Sequence, residues 1–340
     1  MRGVFKLKGK KEYIRNLQEL RGISACLIVI SHIPFFQSVI GTSLGGYGVA
    51  MFFLLSGFLL IYSTTETIDF FLIKRIIRII PLYYIVTMIT YVLATIKPQW
   101  FNTTVATIPN LIKSLLFVPY VNPNGNVRPI LDVAWALFPE VWMYIVFYIS
   151  FRISYKYRAL ITGSILGTLF AISSIINNKI LDQFRLGFLY LLIGIVIFYV
   201  WKYIPELKCK VFGKKYKWFM IFIFAIAGVL YNNLIKSQKI YAAVVLVIIV
   251  FMYFLLLEGH IVESKLLLKI GSISYCLYLI HEFVVKGISR LLYDLNKINL
   301  ISFLLSIICI LLSIVTAYLI NIYIEKPMTN KLKTKLIKDN

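Results

Sequence analysis

An apolar run of about 20 residues recurs along this chain, and that repetition fixes the solvent it folds in. A helix of about that length crosses a hydrocarbon core about 30 Å thick. Inside lipid, only helices and closed barrels satisfy their own backbone polar groups. Such runs lie near 22–40, 47–63, 79–96, 134–151, 159–176, 184–203, 217–235, 240–257, 272–290 and 300–323. They predict an all-α chain, a polytopic transmembrane helical bundle of about ten spans in the cell (plasma) membrane. Composition agrees: of 340 residues, 60% are hydrophobic and 15% charged, whereas ordinary soluble domains carry about a quarter charged. With a mean hydropathy of +0.85, one soluble core of this size cannot hide the apolar surface.

Charge supplies the orientation. There are 36 Lys and Arg against 14 Asp and Glu, a formal +22. Basic residues gather at Arg2, Lys6, Lys8, Lys10, Lys11 and Arg15, again from Lys202 to Lys217, and in the tail at Lys326, Lys331, Lys333, Lys335 and Lys338. The first return loop, 42–46, has no charge. An even number of spans puts all the basic segments on one face, and the positive-inside rule makes that face, with both termini, cytoplasmic. The excess is therefore read as facing anionic membrane lipid, with no nucleic-acid partner. The expected organisation is a single domain over 1–340, with a basic N-terminal segment at 1–20, a basic tail at 325–340 and no appended soluble domain. The longest outer connection, 97–132, contains Pro119, Pro123, Gly125 and Pro129 beside Trp100, Phe101, Phe117 and Tyr120, which predicts a folded cap or a helix lying on the membrane. Cys26, Cys276 and Cys309 fall inside apolar runs and Cys209 in a Lys-rich segment, so no disulfide framework is expected. The three histidines form no Cys/His cluster, and no metal site is expected.

Ionisable side chains within spans are costly, which makes them functional candidates. His32 lies in the first run and Arg21 at its basic mouth. Eleven steps of about 100° bring the two onto one helix stripe, about 16.5 Å apart along the axis. Lys74, Arg75 and Arg78 precede Pro81 at the start of the third run. Arg75 and Arg78 project on one face, and guanidinium forks suit phosphate. The bland reading of all these arginines is an anchor at the inner surface. Glu140, expected at the outer end of the fourth span, sits among aromatics in the run Trp135–Tyr144, where a carboxylate needs a cation or donor. His281 and Glu282 occur in the ninth run; neighbours on a helix point about 100° apart, so they should serve different surroundings. By helical rise, His281 should lie at a depth comparable with His32.

These residues, in this order, resemble the acyltransferase-3 family of integral membrane acyltransferases over nearly the whole chain. The resemblance is carried by Leu20-Arg21-Gly22 with its Arg-x10-His spacing, Gly48 to Phe58, Phe71 to Pro81, Trp135 to Tyr144, Ile273 to His281, and Ile324-Glu325-Lys326-Pro327. The chain departs from the family pattern at Ala50-Met51, where an Asp is common, and at Lys326, where Arg is. The resemblance implies an O-acetyltransferase that moves an acyl group, usually acetyl, from cytoplasmic acyl-CoA to a hydroxyl. Acetyl-CoA is then a donor substrate, with no tightly bound cofactor. The acceptor class is a cell-surface polysaccharide or lipid-linked sugar. His32 and Glu140 become the catalytic candidates, Arg21, Arg75 and Arg78 the donor-binding ones, and His281, Trp135, Tyr144 and Ser56 the substrate-binding ones. Direct transfer and an acyl-histidine relay both stay open, as does a homo-oligomer. A glycan transporter with an intramembrane proton relay is the rival reading.

Overall fold

The computed structural model describes residues 13–41, 43–64, 70–101, 103–203, 239–256, 263–291 and 295–337. Every regular element among them is helical. Six helices are long and apolar enough to cross a membrane, and up to eight do so if each of two bent pairs counts as one span. The run at 240–257 is met by a shorter apolar helix. The expected run at 217–235 and Cys209 lie outside the described residues. Many large apolar side chains are exposed, among them Met88, Ile89 and Val92, and a row from Leu300 to Leu319. Such surface requires lipid around it.

The first run does not form the continuous helix expected over 22–40. Helix α1 (Arg15–His32) starts earlier, stops at His32, and meets α2 (Pro34–Ile40) at 94°. Pro34 is the cause: it has no backbone N–H, and its ring drives the preceding residue out of helical geometry. Ile33 is indeed extended, at φ −84°, ψ 120°. His32 thus ends a helix at a break inside the bundle.

Helix α3 (Ser43–Ser63) lies against α1 and against α8 (Lys179–Tyr203). Gly57 and Gly194 let α3 and α8 touch backbone to backbone, since a Cβ at either would fall onto a carbonyl of the other helix. Helix α4 (Phe71–Ile96) begins eight residues before the expected span, so Arg75 and Arg78 are in regular helix with Pro81 in its interior. The 97–132 connection folds as expected of a cap. Its helix α5 (Ile108–Leu115) is fastened by Tyr83 Oη–H donating to Ser114 O at 2.8 Å and Tyr84 Oη–H to Leu115 O at 2.9 Å. Ile130, Leu131 and Ala134 are buried before α6 (Leu137–Ile153) starts, so that helix begins inside the protein. α7 (Arg158–Ile175) joins it to α8, and α9 (Lys239–Leu256) packs on α1 and α3.

The ninth run is also broken. Helices α10 (Lys265–Ser272) and α11 (Ser274–Leu291) bend by 79° at Ile273. α10 lies on α1, where a Cβ at Gly22 would come within 2.6 Å of Leu267 O. Buried Glu19 of α1 accepts the Ser264 N–H at the start of α10, which fixes that helix end to the one carrying Arg21. Helix α12 (Leu300–Ile320) turns a stripe of Ser302, Ser306, Cys309, Ser313 and Ala317 inward; small residues let apolar helices approach closely. A π-helical turn at Asn321–Glu325 carries the chain straight into α13 (Lys326–Leu336), so the basic tail is helical through Leu336 and continuous with the last span. Pro327 cannot donate to the turn before it, and a widened turn accommodates it.

Candidate functional site

A cavity with about 850 Å³ of empty space, part of it open to solvent, lies between α1, α3, α4, α6 and α11. α1 contributes Arg21, and α4 contributes Arg75 and Arg78 one turn apart. Among the described residues, the one carboxylate in its walls is Glu140. Arg21 feels the repulsion of Arg78 and the attraction of Glu140. Arg75 lies 5.0 Å from the centre of the Tyr144 ring and donates to Ser63 Oγ at 3.3 Å. Three guanidiniums against one carboxylate in an apolar setting make a site for a polyanion, since only added negative charge relieves that repulsion.

α6 starts inside the protein, and its first turn delivers Glu140 among the arginines. Glu140 Oε1 accepts from Ser56 Oγ at 2.9 Å and from the Tyr144 hydroxyl one turn along α6. Ser56 and Tyr144 are therefore cavity walls tied to Glu140. Trp135 is not a wall of this cavity: its ring lies under Arg128, 5.1 Å from the guanidinium carbon.

The two histidines meet. The rings of His32 and His281 are 4.7 Å apart, edge to face at 77°. His32 Nδ1 is 2.8 Å from Ile28 O, and His281 Nδ1 is 2.9 Å from Tyr278 O and 3.1 Å from Leu277 O. A carbonyl only accepts, so each Nδ1 facing one carries the hydrogen and donates it. Nε2 of a neutral ring is then the atom that bears the lone pair. His281 is fully buried, and its Nε2 has no hydrogen-bond partner among the described residues. Glu282, the next residue, points elsewhere and pairs with Lys286 at 2.5 Å, as the 100° step requires.

Neither imidazole lines the cavity. Tyr278 does, and its ring stands 6.5 Å from that of His281 while its hydroxyl donates to Val133 O. The arginine chamber and the histidine pair are thus neighbours with a tyrosine between them. Tyr275, also a wall, donates to Ile79 O of α4 at 2.5 Å. The sequence reading quoted both tyrosines within a motif without singling them out. The signal was their spacing: 275, 278 and 281 succeed one another at i, i+3 and i+6 along one side of α11. At its base, α11 is joined to the π turn by Cys276, whose thiol donates to Glu325 Oε2 at 2.7 Å, an oxygen that also accepts from Asn321 Nδ2 at 2.7 Å.

No curated protein and no solved structure compared with the chain gives a match. Residues 14–322 do match the acyltransferase domain of the acyltransferase-3 family, a span holding both halves of the cavity and both histidines. The chain belongs to that family, and with its long apolar helices it is a multi-pass membrane acyltransferase.

Proposed function

We propose that this chain transfers an acetyl group from cytoplasmic acetyl-CoA to a hydroxyl of a cell-surface polysaccharide or lipid-linked sugar. The observation that carries the reading is the cavity in which Arg21, Arg75 and Arg78 face one carboxylate, next to a pair of touching imidazoles. Coenzyme A brings the phosphates such a cavity needs, and guanidinium forks bind them in pairs of hydrogen bonds. In this reading the chain crosses the plasma membrane about ten times as one domain. Both termini are cytoplasmic, and the arginine end of the cavity faces inward.

The long thin arm of the donor reaches from the arginines toward His32, about 16.5 Å further along α1. Tyr278 stands in that path, so its side chain turns aside when the arm enters. His32 Nε2 takes the proton of the acceptor hydroxyl as the oxygen attacks the thioester carbon. A C–O bond forms, the C–S bond breaks, and the proton passes from the imidazolium to the departing sulfur, leaving an ester and free CoA thiol. A relay uses the same nitrogen first as nucleophile, then as leaving group from an acyl-imidazole. His281 holds the edge of the His32 ring. Glu140 acts as a positioning residue, fixing Tyr144 and Ser56 and partly offsetting Arg21.

The test uses protein reconstituted in liposomes and supplied with labelled acetyl-CoA. Wild-type protein releases CoA thiol and passes label to an envelope glycan extract, and His32→Ala at matched abundance does neither. Label transfer unchanged in His32→Ala removes the imidazole from the chemistry. Movement of glycan with no CoA release makes the chain a transporter.

A further inference from the structure

A second cavity, with about 570 Å³ of empty space, part of it open, lies between the later turns of α4 and α11 and the segment that follows α4. The surface it presents is almost wholly apolar, supplied by Leu93, Trp100, Phe101, Leu131 and Phe283. The polar groups of its walls are already satisfied within the protein. Thr90 donates to Val86 O at 2.8 Å and Thr104 to Ile130 O at 3.1 Å. Glu282 pairs with Lys286 at 2.5 Å, and Asp132 with Arg128 at 3.4 Å and with the Thr103 hydroxyl at 2.7 Å. A polar ligand would compete with these pairs, whereas a hydrocarbon chain disturbs none of them. Gly287 contributes room, since a Cβ there would meet nothing within 4 Å.

The chamber adjoins surface that lipid must cover. Ile89, Val92 and Ile96 are exposed and form one stripe of α4. Around the helix, Leu93 borders that stripe and Thr90 follows it, and both are walls of the chamber. Hydrocarbon therefore stands one residue away from the apolar interior. The other end of the chamber is cationic. Arg290, in the last turn of α11, is exposed and gives one N–H to Gln99 O at 3.2 Å. A guanidinium has five such donors, and among the described residues no carboxylate pairs with this one, unlike Lys286. Phe283 and Arg290 are seven residues apart, about 10.5 Å of helical rise. A chain lying on the Phe283 ring would thus end its polar head at Arg290, where a phosphodiester offers two oxygens to the guanidinium fork.

We propose that this chamber is a phospholipid site, with an acyl chain among Trp100, Phe101 and Phe283 and the phosphodiester held by Arg290 at the rim. The proposal concerns binding alone and stands apart from the acyltransferase reading. The experiment uses the full chain in lipid nanodiscs doped with phosphatidylglycerol carrying a photoreactive diazirine at the end of one acyl chain. A parallel sample contains diacylglycerol with the same chain and no phosphate. After illumination, labelled residues are mapped by peptide mass spectrometry, with the exposed row from Leu300 to Leu319 on α12 as the reference for bulk lipid. Relative to that row, phosphatidylglycerol is expected to label the chamber about tenfold more than diacylglycerol does. Arg290→Gln removes the preference. Gly287→Leu fills the open space and abolishes label in the chamber while α12 stays labelled; Gly287→Ala, whose Cβ touches nothing, labels as wild type. Leu93→Trp narrows the same chamber from α4 and gives the same loss, which separates filling from misfolding of either variant. Absence of label from the wild-type chamber, or label indifferent to both filling variants, overturns the proposal. Equal labelling by the two lipids in wild-type protein overturns the role given to Arg290.

Discussion

Glu140 holds two neighbours and opposes three cations, so its removal has separable effects. Glu140→Gln keeps an oxygen for Ser56 and Tyr144 but deletes the only negative charge that the described residues place on the cavity walls. Donor affinity is expected to hold or tighten, while Arg78→Ala, which removes a cation, weakens it about tenfold. Dialysis against acetyl-CoA at low ionic strength checks both; weaker binding in the Gln variant would mean that Glu140 touches the donor favourably. Tyr278 poses a second residue-scale question. Tyr278→Ala removes the side chain between the arginine chamber and His281 together with its bond to Val133 O. Hydrolysis of acetyl-CoA by water is expected to rise relative to transfer, measured as CoA released per label transferred. The arginines were legible in the sequence because a charge in an apolar run has few innocent explanations. Tyr275 and Tyr278 were not, because an aromatic in an apolar helix reads as ordinary core. The contact between His32 and His281 was half legible: the depths matched on helical rise, but only packing brings the rings together.

Helix breaks place the two histidines more than helix lengths do. α1 stops at His32 because Pro34 follows, and α11 starts at Ser274 after a bend of 79°. Pro34→Ala frees Ile33 to become helical and lets α1 run on past His32. A shift of about 1 Å in a reacting group costs about a hundredfold in rate, so transfer should fall by that order while the protein still accumulates in the membrane. Full activity in Pro34→Ala would mean that the break is held by the surrounding helices and not by the proline. α10 lies so close to α1 that a side chain at Gly271 would fall onto the Gln18 carbonyl. Gly271→Ala is therefore expected to destabilise the folded protein by about 1–3 kcal/mol, seen as a lower melting temperature in detergent. Gly46→Ala, where a Cβ meets open space, is the matched control and should leave melting unchanged. The apolar runs were readable as spans because bilayer thickness sets their length. The extension of α4 back to Phe71 was hidden by Lys74, Arg75 and Arg78, which a hydropathy window treats as an end. The burial of residues 130–136, which moves Glu140 among the arginines, has no local signal at all.

Across the whole molecule, charge and apolar surface divide the protein along its length. Guanidiniums collect in one chamber, and rings with matched ion pairs line another. A ligand held by exposed phosphate–guanidinium pairs loses affinity as salt rises, and one held by ring faces does not. The central claim is that a donor anchored on Arg21, Arg75 and Arg78 reaches His32. An electron-microscopy map of the protein with a non-hydrolysable acetyl-CoA thioether tests it most directly. The account predicts phosphate density among the three guanidiniums, Tyr278 rotated off Val133, and the acyl carbon within about 3.5 Å of His32 Nε2. An acyl group stopped on the near side of an unmoved Tyr278, or phosphates bound away from those arginines, would contradict it.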